Sequence, residues 1–392
     1  VFEKVCAKLL KTAELPKKLY DCILIDEAQD FGPNFYKLCL SVLDHNRRLV
    51  YAYDELQNIN EQTMKSPEEI FGFSIQNDTP LVTTYRNQSN VIVAAHAIGM
   101  GLYSEGGLIQ IPSAPDVWAS IGYESDNGII PGKAVTLYRP KETSPDFLKA
   151  DPATLVSVKK CESFEEQLSV LTKNILSDIE EEHLISTDIM IIDMDSIGHE
   201  GNKNKLWNYL LENVLLERIN VHLAGAASPE DFFRSESDPP SVVYSSINRA
   251  KGNEAYQVYI INAQKCVNTL SVMRDRNALF TAITRSKGWV TILGYGFGMD
   301  ELVQEFEKIK ENEFRLHFSK YPTDDEIKDL VRNNQDIAQQ DQTILTKARK
   351  VIEDISKTKV ESSTKLKLAM ELFGASSQED LMEMLKRDDN NV

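Results

Sequence analysis

The string Asp26-Glu27-Ala28-Gln29-Asp30 sets three carboxylates and an amide directly behind an apolar run, Tyr20-Asp-Cys-Ile-Leu-Ile-Asp26. An aspartate at a strand end can hold Mg²⁺, usually through water, because a hard cation takes oxygen ligands. The glutamate beside it can polarise a water for attack on a phosphate. A solvated acidic turn is the other reading of such a string, and the buried strand in front of it favours chemistry. A second apolar run, Leu49 to Tyr53, also ends on an acid, Asp54. Two strands that deliver carboxylates at their C-terminal ends predict an α/β sheet with its site along that edge.

Other side chains are ambiguous on their own. Tyr85 reads as a packing residue and Arg86 as half of a surface ion pair. Arg285 could serve either structure or chemistry, and Glu254 is an ordinary exposed acid. Ser245, Ser246, Asn248 and Arg249 form a polar loop after an apolar strand, which a nucleic-acid backbone or plain solvent would suit equally. Acyl-transfer chemistry finds no support: there is no G-x-S-x-G elbow, and the six histidines stand apart.

The elements that would position these groups alternate between strand and helix. A helical stretch carries Phe35, Leu38, Leu40 and Leu43. Residues 106 to 132, rich in Gly, Pro and Ser, read as a linker or long loop. Beyond it, Val135 to Tyr138, Ile189 to Met194, Asn220 to Leu223, Val242 to Ile247, Tyr256 to Asn262 and Trp289 to Leu293 have strand character. Between them, Ser163-Phe-Glu-Glu166 is a capping box ahead of Leu168, Leu171, Ile175 and Ile179 at helical spacing, and Lys205 to Leu216 is helical. After Asp300 the pattern is helical, with capping boxes at Thr323–Glu326 and Ser376–Glu379. This order predicts a second, complete α/β domain with a largely parallel sheet.

Length and composition fit that picture. At 392 residues and 44.3 kDa, the chain is expected to hold two domains or more. Its 42% hydrophobic and 26% charged residues exclude a collagenous or wholly disordered chain. No apolar run approaches the roughly 18 residues of a membrane-spanning helix. Five cysteines without a C-x-x-C pair read as thiols of a reducing compartment, and with no secretory signal the cytoplasm is the default. The net charge of −17 argues against a surface that grips nucleic acid everywhere, but leaves room for a local basic groove.

Taken together the motifs resemble those of UvrD/Rep-type superfamily 1 DNA helicases, in the correct order over residues 20 to 294. DEAQD resembles motif II (Walker B). Tyr53-Asp-Glu-Leu-Gln57-Asn-Ile59 resembles motif III, and Thr84-Tyr-Arg-Asn87 motif IV. Ser246-Ile-Asn-Arg-Ala-Lys-Gly-Asn-Glu254 resembles motif V, and Phe280-Thr-Ala-Ile-Thr-Arg-Ser-Lys287 motif VI. Tyr53, Asn248 and Asn253 depart from the usual Gly, His and Leu, which marks a divergent member.

The resemblance implies ATP and Mg²⁺ as cofactors, with Asp26 on the metal and Glu27 on the attacking water. It implies that Gln57 senses the γ-phosphate, that adenine stacks on Tyr85 and that Glu254 reaches the ribose. Arg86 would meet phosphate oxygens, and Arg285 would act as an arginine finger from a helix of the second domain. Ser245, Ser246, Asn248 and Arg249 would contact nucleic acid, expected to be single-stranded DNA. The implied fold is α/β with two RecA-like domains of the P-loop NTPase type and parallel sheets. The first of these, incomplete, spans 1–105, a linker or loop 106–132, the second domain 133–299 and a helical C-terminal region 300–392.

The family's phosphate cradle, G-x-x-x-x-G-K-[ST], is absent from these residues and is expected upstream of Val1. The chain is therefore expected to be a C-terminal portion that hydrolyses little or no ATP by itself. The implied function is ATP-dependent translocation on, and unwinding of, DNA. A translocase that remodels complexes without unwinding, or a non-catalytic adaptor binding a protein partner through the C-terminal helices, are the alternatives.

Overall fold

The computed structural model describes residues 2–12, 19–54, 79–112, 114–144, 150–195, 199–213, 220–223, 241–267 and 272–330. Gln57, the expected capping box Ser376–Glu379 and the tail beyond residue 330 lie outside them. The chain divides into two compact units, Val1–Leu81 and Val82–Val392.

In the first unit, helix α1 (Phe2–Thr12) packs beside α2 (Pro33–Val42), and strands β1 (Tyr20–Ile25) and β2 (Leu43–Tyr51) pair in parallel. The sheet's inner face brings Ile23, Ile25, Leu49 and Tyr51 against Phe31, Phe35, Tyr36 and Cys39. Alternation puts Leu24 and Val50, register partners, on the outer face, where both are exposed.

The second unit begins with α3 (Ser89–Met100), whose residues Val91 to Met100 are all buried. A helix apolar all round belongs inside a core. It packs on α8 (Val272–Ile283), and Gly99 permits the approach, since a Cβ there would stand 3.0 Å from Phe280 Cβ. The first compact unit ends at Leu81, and α3, buried against α8, lies in the second.

Of the two forms expected for residues 106–132, linker or long loop, the segment has the character of a loop packed on its own unit. Trp118, on the short helix α4 (Val117–Ser120), is fully buried and donates from Nε1 to Tyr321 Oη at 2.9 Å. Tyr123 Oη bonds His96 Nδ1 at 2.8 Å, so these aromatics fasten the segment to the unit's own core. His96 is buried, which pushes its pKa down to about 3 and keeps the ring neutral.

Six strands form one sheet, all parallel, in the order β4 (Val156–Cys161), β9 (Ser286–Tyr295), β8 (Ala255–Ile261), β5 (Ile189–Asp193), β7 (Ser241–Ser246) and β6 (Asn220–Leu223). Near-continuous burial along β5, β7 and β8 is what a sheet covered on both faces demands. One face packs Ile189, Ile191, Tyr244, Tyr259 and Leu293 against Leu168, Leu171 and Ile175 of α5 (Phe164–Glu180) and Leu206 of α6 (His199–Asn213). α3, α8 and α9 (Phe297–Glu311) also contact the sheet at its β4 and β9 side, as α5 does.

The parallel α/β domain expected after the loop is therefore present, with two corrections. Val135–Leu137 (β3) does not join the large sheet. It pairs antiparallel with Leu316–Phe318 (β10), a strand inside the region expected to be helical. β4, which the sequence pattern did not show, supplies the edge strand instead. The capping box at Thr323 forms in full, Thr323 N donating to Glu326 Oε2 at 2.8 Å and Glu326 N to Thr323 Oγ1 at 3.4 Å; at Ser163 the side chain caps Glu166 N at 3.2 Å, while the Glu166 carboxylate accepts the Glu162 amide at 2.6 Å.

Candidate functional site

In the first unit Asp26 stands just past the C-terminal end of β1, exposed, with Oδ1 accepting the Glu27 amide at 2.9 Å. Glu27 sits in the left-handed region at φ 49°. For a residue with a Cβ that conformation stores roughly 1 kcal/mol or more, a cost concentrated at functional sites. Its carboxylate accepts from Gln29 Nε2 at 2.5 Å. Gln29 is buried, and its Oε1 accepts the Asp54 amide at 3.1 Å, so one glutamine joins the DEAQD turn to the end of β2. Tyr36 braces the same turn by donating to Ala28 O at 2.5 Å.

Among the described residues no three His, Cys, Asp or Glu side chains converge on a metal position. Asp26 offers an exposed carboxylate oxygen, the kind of ligand a hard cation takes.

In the second unit the expected nucleotide residues gather at the N-terminal edge of the sheet. Arg86 Nε donates to Glu254 Oε2 at 2.7 Å; the two side chains are 36% and 41% exposed. Lys287, at the start of β9, stands 3.8 Å from Glu254 Oε1 and 4.4 Å from the centre of the Tyr256 ring. Tyr85 projects into solvent at 74% exposure, a ring face open to stacking.

Asn87 explains why these groups meet. It is buried, and its Nδ2 donates to Thr284 O at 3.1 Å and to Ser286 O at 2.7 Å. The Thr84–Asn87 segment is thereby clamped to the turn that carries Arg285. That turn follows α8, so Arg285 lies past the helix and not on it, as was expected. Its side chain is 1% exposed, with Nε donating to Thr281 O at 3.1 Å.

The polar loop begins at the opposite, C-terminal edge of the sheet. Ser245 is buried at the end of β7 and Ser246 precedes the short helix α7 (Ile247–Ala250), on which Asn248 and Arg249 are exposed. Beside it, Asp193 ends β5 fully buried, accepting from Tyr244 Oη (2.6 Å), Asn202 Nδ2 (3.1 Å), Asn262 Nδ2 (2.7 Å) and the Asp195 amide (2.9 Å). Burial outweighs those donors and pushes its pKa up to about 6.

Sequence reasoning passed over Gln29, Asn87, Lys287 and Asp193. The first three lie inside quoted motifs, so the signal was at hand in an amide or lysine beside the acting charges. Asp193 gave only one acid closing an apolar strand, a pattern with no partner in sight.

Residues 241–293 match the family model of the UvrD-like helicase C-terminal domain, a stretch that holds the motif V and VI segments. The resemblance drawn from the motifs is borne out there for the C-terminal portion. No curated protein matches the chain. Among solved structures, the C-terminal domain of a possible DNA helicase from Lactobacillus plantarum WCFS1 is similar at 16% identity and a TM-score of 0.28, covering 38% of this chain and 80% of that one. At that score the likeness carries no argument.

Proposed function

We propose that this chain is the C-terminal portion of an ATP-dependent, UvrD/Rep-type superfamily 1 DNA helicase or translocase, its units corresponding to RecA-like domains of which the first is incomplete. The observation that carries the reading is the match over residues 241–293 together with the meeting of Arg86, Glu254 and Lys287 in and beside that stretch. Bound ATP and Mg²⁺ would supply a scissile phosphoanhydride and charge neutralisation of its oxygens.

The chain's own residues then have distinct tasks. Asp26 offers a carboxylate to hydrated metal, and Glu27, held by Gln29, orients a water. Gln57 reports the γ-phosphate. Arg86 presents a fork of donors to phosphate oxygens, Glu254 a carboxylate to a ribose hydroxyl, and Tyr85 a face for adenine. Arg285 must leave Thr281 O to act as a finger, so its engagement requires a local rearrangement of the turn after α8. Ser245, Ser246, Asn248 and Arg249 hold the backbone of single-stranded DNA through hydroxyls, an amide and a guanidinium.

A non-catalytic adaptor that binds a protein partner is the second reading, favoured by the lack of G-x-x-x-x-G-K-[ST] within the sequence. ATP hydrolysis in the presence of single-stranded DNA separates them. The 392-residue chain should turn over little, and a form in which a G-x-x-x-x-G-K-[ST] segment precedes it should turn over and lose activity in Asp26→Asn. No turnover in that longer form supports the adaptor, while Asp26-dependent turnover by the chain alone contradicts the need for the cradle.

A further inference from the structure

Glu254 is the only acid among the described residues paired with both Arg86 and Lys287, and each of its oxygens faces a different one of them. The two cations arrive from separate segments. Arg86 adjoins Asn87, whose buried bonds to Thr284 O and Ser286 O fix that segment to the residues around Lys287. Lys287 lies over the Tyr256 ring, a contact that holds an ammonium without a counter-ion. All three charged groups are one-third to two-fifths exposed, within reach of solutes.

An exposed ion pair of this kind is weak, since water and salt screen it. A polyphosphate brings three or more negative charges to the same two cations, against the single charge of a carboxylate. We propose that Glu254 is an internal stand-in for a phosphate group. It occupies a two-cation polyphosphate site formed by Arg86 and Lys287, and an incoming polyphosphate must displace it. The inference rests on the helicase reading of this edge and adds Lys287 as a phosphate-binding residue and Glu254 as its built-in competitor.

Calorimetric titration of the intact chain with inorganic tripolyphosphate, without divalent cations, tests this. The probe has no ribose or base, so any contact of Glu254 with a nucleoside does not enter. Glu254→Gln should bind about five- to tenfold more tightly than the unsubstituted chain, from loss of the competing pair and of one repulsive charge. Adding Lys287→Ala or Arg86→Ala should cancel the gain. Glu254→Ala, with thermal melts on every variant, serves as a second removal of the charge. Equal or weaker binding by both Glu254 variants, a gain that survives Lys287→Ala, or no binding by any form would overturn the proposal. Failure of the helicase reading would show separately, as absent single-strand binding, and would leave a positive tripolyphosphate result standing.

Discussion

Asn87 does more for the candidate site than its place beside Arg86 suggests, because its one amide bonds two buried carbonyls of the turn that carries Arg285. Asn87→Ala removes both of these hydrogen bonds, at a cost of roughly 1–3 kcal/mol. Urea unfolding should show a lower midpoint with an unchanged slope, and a loss under about 0.5 kcal/mol would mean the clamp is not what holds the turn. Asp193 makes a second residue-level case. Its folded pKa, about 6, lies above the ordinary aspartate value, so the stability it contributes is full below about pH 4 and is lost as pH rises through 6. The stability of the unsubstituted protein relative to Asp193→Asn should therefore fall between pH 4 and 7, by up to about 3 kcal/mol. A flat or rising difference would contradict the burial argument.

At the scale of elements, local chemistry was readable and distant pairing was not. Ser163-x-x-Glu166 specified a helix start through its own bonds, and α5 begins there. Ser163→Ala should lower stability by about 1 kcal/mol in thermal or urea melts; no change would mean the first turn of α5 is held by packing alone. The six parallel strands were mostly legible because burial on both faces makes their runs apolar. β4 escaped because it is an edge strand with Lys159 and Lys160 on it, which blurs the apolar run. β3 was seen as a strand, but its partner β10 lies far along the chain, beyond what local pattern can show. The helix expected to carry Arg285 ends two residues before it, at Ile283. Trp118 and Tyr123 were aromatic warnings inside a Gly/Pro/Ser-rich stretch whose composition pointed to a loop.

For the whole molecule the chief constraint is charge. With a net charge of −17, long-range repulsion works against DNA binding, so any affinity must come from a small set of local donors. Exposed Asn248 and Arg249, at the C-terminal edge of the large sheet, are the donors the account relies on. None of the described helices is long and apolar enough to cross a membrane. The proposed binding of single-stranded DNA is checked by fluorescence anisotropy of a labelled oligonucleotide titrated with the chain across a range of salt. Binding should weaken steeply as salt rises and fall several-fold in Asn248→Ala and Arg249→Ala. An oligonucleotide that stays free even at low salt, or binding indifferent to both substitutions, would contradict it.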